Sequence, residues 1–363
     1  MTSRRGFLAG LMASGLAPAV TWAEVGAPDY LSAAQAPDGS YCLLGLGADG
    51  TIRFRQPIPG RGHAAAAHPH RAEAVGFARR PGTFAFVIDC AAGTTRAELE
   101  APEGRHFYGH GVFSREGDLL FTVENDFDAA RGVIGVWDVA SNYTRVGEFD
   151  SNGVGPHELR LMPDGKTLVV ANGGIETHPD SGRSKLNIPF MKPNLSYLRL
   201  DGSLLEAVEL DPELHKNSIR HIDVRADGLV GFAMQWQGGQ GDQPPILGVH
   251  RRGEAPRLQL FGTEPEVAAQ MNGYGGSVAF SGDGRYLAVS SPLGARVQVF
   301  DAETGALAQI LPMEDVCGLG ARSDGFLASA GTGRMIMFEA DGPHDLGQSD
   351  VRWDNHLVPL SRI

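Results

Sequence analysis

A seven-bladed β-propeller is the fold this sequence predicts, and three observations predict it. A strand–turn–strand unit recurs along the chain. Its turns lie 35 to 63 residues apart, the period of an array in which each unit holds several strands. Residues 351–358 then read as a leftover strand that closes the ring on the N-terminal blade.

The clearest unit runs from Gly155-Pro156-His157-Glu158 to Val170-Ala171-Asn172. Leu159 and Leu161, then Leu168, Val169 and Val170, supply the apolar strand residues. Pro163-Asp164-Gly165 is the turn between them, with a glycine free to take positive φ. Six further turns align with Gly165: Pro37-Asp38-Gly39, Arg80-Pro81-Gly82, Arg115-Glu116-Gly117, Ala226-Asp227-Gly228, Gly282-Asp283-Gly284 and Ser323-Asp324-Gly325. Seven turns predict seven blades. A single blade cannot cover both of its faces, so the ring forms as a whole.

Bulk properties agree with one domain. A chain of 363 residues can hold two domains, but all-β rings of this size are often one. No Pro/Ser-rich or charged tract divides it. The 49 glycines and 22 prolines suit many tight turns. A formal charge of −12 argues against nucleic acid, which needs a basic surface.

Residues 1–23 read as a targeting segment and residues 24–363 as the propeller. Ser3-Arg4-Arg5-Gly6-Phe7-Leu8 matches a twin-arginine export motif, and a mild apolar stretch follows from Leu8 to Val20. Thr21-Trp22-Ala23 offers a cleavage site, with Ala17-Pro18-Ala19 as the alternative. The apolar stretch is too short for a membrane span, so no transmembrane helix is expected in the mature chain. The expected location is the periplasm. The twin-arginine route carries folded proteins, often because a cofactor is inserted first. The three cysteines, Cys42, Cys90 and Cys317, leave at least one thiol free. There is no Cys-x-x-Cys-His for covalent haem and no Cys-x-x-Cys zinc pair.

The repeat frame places side chains. The first strand of a propeller blade lines the channel, and the second returns beside it. Residues seven or eight before a turn glycine, and seven or eight after it, therefore meet at one mouth. Those slots hold His110, Glu124 and Asn125 in one unit, His157 and Asn172 in the next, and His221, Arg220 and Gln235 in the third. Ser277 and Cys317 take the first-strand slots of the last two units. Long insertions rise from the same rim, one of them carrying His178 and Arg183. Long loops gathered on one face of a rigid scaffold are where binding usually sits.

The expected metal ligands are His110, His157 and His221. The expected ligand-binding residues are Glu124, Asn125, Asn172, His178, Arg183, Arg220 and Gln235. Three neutral imidazoles and a carboxylate suit iron, copper or zinc. A structural role competes with this one, because strand-start histidines also hydrogen-bond neighbouring blades. A metal-dependent or lactonase-like hydrolase is the alternative function, with Glu124 as base and Arg183 or Arg220 holding an anion. No Gly-x-Ser-x-Gly elbow and no His-Glu-x-x-His accompanies it. A third class is a scaffold presenting its loops to a partner protein.

Several blocks resemble a bacterial family of twin-arginine-exported β-propellers of unknown function. They are Arg4-Arg5-Gly6-Phe7-Leu8, Glu124-Asn125-Asp126-Phe127, Gly155-Pro156-His157-Glu158, Val170-Ala171-Asn172-Gly173-Gly174, Ser218-Ile219-Arg220-His221 and Asp315-Val316-Cys317-Gly318. The resemblance covers essentially the whole chain. It carries no established catalytic residues. Members tend to be encoded beside imelysin-type iron-uptake proteins and di-haem peroxidase-like proteins. The resemblance thus implies a periplasmic part in iron acquisition, with a small ligand or an iron-uptake protein as partner.

Overall fold

The computed structural model describes residues 20–78, 82–239, 241–254, 257–339 and 341–360. The strands form seven antiparallel sheets arranged as a ring, six of four strands and one of five. Helix is confined to the five-residue Pro265–Ala269 and short 3₁₀ turns among the described residues. The protein is an all-β, seven-bladed propeller.

Blades 2 to 7 each begin with a strand beside the channel. These inner strands are Gly62–Ala67, Arg105–Phe113, Pro156–Leu161, Asn217–Val224, Ser277–Phe280 and Val316–Ala321. Blade 1 is built from both ends of the chain. Arg352–Trp353 and Val358–Pro359 form its inner edge and pair antiparallel with Tyr30–Gln35. The register Ala34↔Trp353 and Leu31↔Val358 closes the ring as expected. Trp353 is buried there with Tyr30, Leu44 and Met335, so closure rests on side-chain packing as well as on backbone pairing.

The core lies between blades rather than at one centre. One cluster joins Phe77 and Val87 of blade 2 to Phe107, Leu120 and Trp137 of blade 3. Another joins Ala171 and Tyr197 of blade 4 to Ile222 and Phe232 of blade 5. Each sheet covers its neighbour's apolar face, as the repeat requires.

Five of the seven aligned turns join an inner strand to the second strand of its blade, namely those at Gly117, Gly165, Gly228, Gly284 and Gly325. Asp164 shows the local cause. Its Oδ1 accepts from the backbone N–H of Lys166 and Thr167 at 2.8 and 2.9 Å, and Gly165 takes φ +66°. The other two turns sit elsewhere. Gly39 joins the second and third strands of blade 1, because the C-terminus supplies the first. In blade 2 the inner strand turns at residues 68–72. Gly82 falls one connection later, and Arg80 and Pro81 lie outside the described residues.

The export motif also lies outside the described residues. From Val20 the chain packs on the ring. Val20 accepts from the backbone N–H of Ala72, and the Trp22 indole donates to the carbonyl of His68 at 2.7 Å.

Candidate metal centre

A backbone irregularity recurs where the inner strands start. The pairing of inner and second strands slips between Gly62 and Ala65, Phe107 and Gly111, Pro156 and Glu158, Ile219 and His221, and Val316 and Leu319. A bulge inserts an unpaired residue and re-aims its side chain. His63, His110 and His157 lie inside three of these slips, and His221 borders a fourth. His356 lies in the equivalent break, between the two C-terminal strand pieces. Five consecutive blades, 1 to 5, therefore each direct one imidazole to the axis. Ser277 and Cys317 occupy the start of the inner strand in blades 6 and 7.

The five rings form one cluster. His157 and His221 have centroids 4.7 Å apart, as do His221 and His356. His63 lies 5.0 Å from both His110 and His356. Nitrogens of His63, His110 and His157 come within 4.8 Å of one another, and so do those of His110, His221 and His356. Gly109 permits this approach. It takes φ +100°, and a Cβ there would stand 2.5 Å from Cδ2 of His63.

All five histidines are buried, yet three ring nitrogens have no hydrogen-bond partner: Nε2 of His110, Nδ1 of His157 and Nε2 of His356. Burial, followed by the charges of neighbouring imidazoles, holds His110 and His356 well below the usual histidine range. His157 is held down by burial, then by His221 and Arg220. These three rings are neutral at pH 7, each with a lone pair available to a metal.

Glu158 sits behind the cluster. Its Oε2 lies 3.1 Å from Nδ1 of His221, and its Oε1 lies 3.9 Å from Nδ1 of His110. Oε1 also accepts from Nε of Arg160 at 2.8 Å. A carboxylate on Nδ1–H fixes the tautomer and turns Nε2 outward, the usual arrangement behind a metal-bound imidazole. On the other side of the ring, Arg61 donates to Asp354 at 2.8 and 3.2 Å and ties blade 2 to the closing segment beside His356.

A cavity of about 520 Å³ runs along the axis from this cluster. His110, His221, His356 and Glu158 line its inner end. Its walls are mixed, with Ala65, Val112, Leu161, Val278 and Leu319 beside Arg160, Arg225 and Ser277. The exposed residues Arg115, Pro163 and Asp283 line the far end, at the inner-strand turns. The channel reaches solvent at that end, opposite the rim of long loops.

The predicted metal ligands His110, His157 and His221 thus converge. His63 and His356 complete the cluster, and the sequence reading had not singled them out. Of the other predicted residues, Glu124 lies fully buried within blade 3, where Arg145 donates to both of its oxygens at 2.7 and 3.0 Å. Asn125 bonds His106 at 3.1 Å and the carbonyl of Thr177 at 3.1 Å, anchoring the long loop. Asn172 bridges Ser151, Asn194 and Ser196. His178 packs its edge on Phe127, and its Nδ1 accepts from the backbone of Asp180. Arg183 is exposed on the loop. Gln235 donates to the carbonyl of Gly275 at 3.2 Å. Arg220 is half-buried next to His221. None of these seven lines the cavity. Cys317 is buried, and burial pushes its thiol up to about 12. All three cysteines are free thiols.

A second group with metal-ligand geometry, Glu339, Asp341 and His344, lies on the surface, where exposed acidic groups are common without any ion. No helix among the described residues is long and apolar enough to cross a membrane.

Hydrazine synthase of Kuenenia stuttgartiensis has a similar structure, with a TM-score of 0.58 at 14% identity, over 87% of this chain and 94% of that one. At that identity the likeness is one of fold. No curated protein matches the sequence. Residues 56–360 match the model of a family described as protein of unknown function, DUF1513, and that span takes in all five axial histidines. The chain is a member of the DUF1513 family.

Proposed function

We propose that this protein binds a transition-metal ion at its five axial histidines, in the periplasm, as an accessory to iron acquisition. One observation carries the metal reading. Three buried imidazoles of one axial cluster, His110, His157 and His356, each keep a nitrogen without a partner, and two of them line the channel. Each such group costs about 1–3 kcal/mol when left unsatisfied. Each triad holds two of these three histidines, so an ion bound in either one satisfies up to two of them. An all-imidazole donor set suits iron, copper, zinc or nickel rather than calcium or magnesium, which prefer oxygen. Iron is favoured here by the gene company that the family resemblance implies, and the periplasm by Ser3-Arg4-Arg5-Gly6-Phe7-Leu8.

The hydrolase reading is less well supported. Glu124, its expected base, is occupied by Arg145, and Arg183 and Arg220 lie outside the cavity lining.

The test is elemental analysis of the protein purified from periplasm, followed by titration of stripped protein with Fe(II), Cu(II) and Zn(II). One stoichiometric transition metal, lost in His110→Ala, is the expected result. Dissociation constants above roughly 10 μM for all three ions would overturn the proposal.

A further inference from the structure

The two histidine triads differ in where they face. His110, His221 and His356 line the cavity, whereas His63 and His157 do not. His110 belongs to both triads. Its Nδ1 faces Glu158, and its Nε2 is the nitrogen without a partner. A neutral imidazole with its proton on Nδ1 has one lone pair and ligates one ion at a time. The two triads therefore cannot both be filled through His110.

We infer that the cluster is a two-position relay for a single metal ion: an outer position on His110, His221 and His356, reached from the channel, and an inner position on His63, His110 and His157. This rests on the metal reading above. His110 stays bonded throughout the transfer. The bonds to His221 and His356 break as bonds to His63 and His157 form, with no change in protons or electrons. Both positions are built of imidazole nitrogen donors, so an ion finds similar chemistry in each. Ring spacings of 4.7 to 5.9 Å make the step short.

The experiment is an anaerobic titration of the full chain with Co(II), followed through its visible absorption bands. The parent is expected to bind one Co(II) per chain. His63→Ala keeps the outer position and His356→Ala the inner one. Each variant should still bind one ion, and the two spectra should differ from each other and from the parent's. The double variant, with neither triad complete, should lose binding, as should His110→Ala. Thermal melting of the metal-free variants checks their folding, and the two single variants decide the matter if His110→Ala does not fold. Two ions per chain would overturn the relay. So would loss of all binding in either His63→Ala or His356→Ala, which would indicate one site using all five ligands. A parent that binds no Co(II), Fe(II), Cu(II) or Zn(II) would instead remove the metal reading itself, and the relay with it.

Discussion

His110 and His250 are comparably buried, at 5% and 3% exposure, and they are held in opposite ways. Nδ1 of His250 meets the Tyr197 hydroxyl at 2.7 Å, and Nε2 lies 3.6 Å from Glu206. His106 and His68 are similar. His106 bonds the carbonyl of Phe107 and the amide of Asn125. His68 bonds the carbonyl of Gly117, and its Nδ1 accepts two backbone N–H groups. Histidines within the blades knit loops and strands together. The axial histidines instead face one another, and three of them keep a nitrogen without a partner. The residue type is common to both regions, and the satisfaction of its nitrogens separates structural use from candidate ligation.

This contrast can be broken most decisively at His110. His110→Ala should abolish metal binding in a titration. It should change the melting stability of the metal-free protein by no more than about 1 kcal/mol, because the side chain it removes is only partly satisfied. A large loss of stability with metal binding intact would place His110 with the blade histidines.

Glu158→Gln sharpens the role of the carboxylate. It keeps the shape but weakens the acceptor on Nδ1 of His221, so metal affinity should fall about 10- to 100-fold with the fold retained. Unchanged affinity would mean that Glu158 serves the fold, through Arg160 and the backbone N–H of Ile222, and not the metal.

His250→Phe tests the other side. It leaves the Tyr197 hydroxyl buried without its hydrogen-bond partner and should cost about 1–3 kcal/mol in denaturant unfolding. Metal affinity should not change.

The smallest effect is in pH. Burial lowers the folded-state values of His110, His157 and His356 below the ordinary 6.5. The unfolded chain therefore binds more protons than the folded one below about pH 6.5, and stability rises with pH through that range. The metal-free protein should lose stability as pH falls through 6.5, and a variant lacking two of these histidines should lose less. Equal slopes in urea titrations at several pH values would show that these rings titrate normally when folded. His68, lowered to about 4 by burial and then by Arg71, contributes in the same direction and stays in both proteins.

The frame that made three axial histidines legible is also the one that hid the other two. In blades 3, 4 and 5 an Asp-Gly or Glu-Gly turn follows the inner strand, so counting back from glycine reaches His110, His157 and His221. In blade 2 the turn is His68-Pro69-His70-Arg71-Ala72, with no glycine to count from, and His63 was missed. In blade 1 the inner strand comes from the C-terminus and no turn joins it to the next strand, so His356 had no frame. Glu158 stood beside His157 in the most legible motif. In a regular strand two neighbours face opposite ways. Only the slip between Pro156 and Glu158 brings both to bear on the cluster. The same counting reached Glu124, Asn125 and Asn172 on the second strands, where side chains are taken up by their own blade or the next loop.

Turn spacing, apolar runs and the leftover C-terminal strand determined the ring and its closure from the sequence alone, because those signals are local and most of them recur from blade to blade. Which residues meet on the axis was decided by the tertiary structure. Closing the ring brings His63 and His356 together across 293 residues of chain, and the bulges choose which side chains turn inward. Neither event leaves a mark within any single repeat.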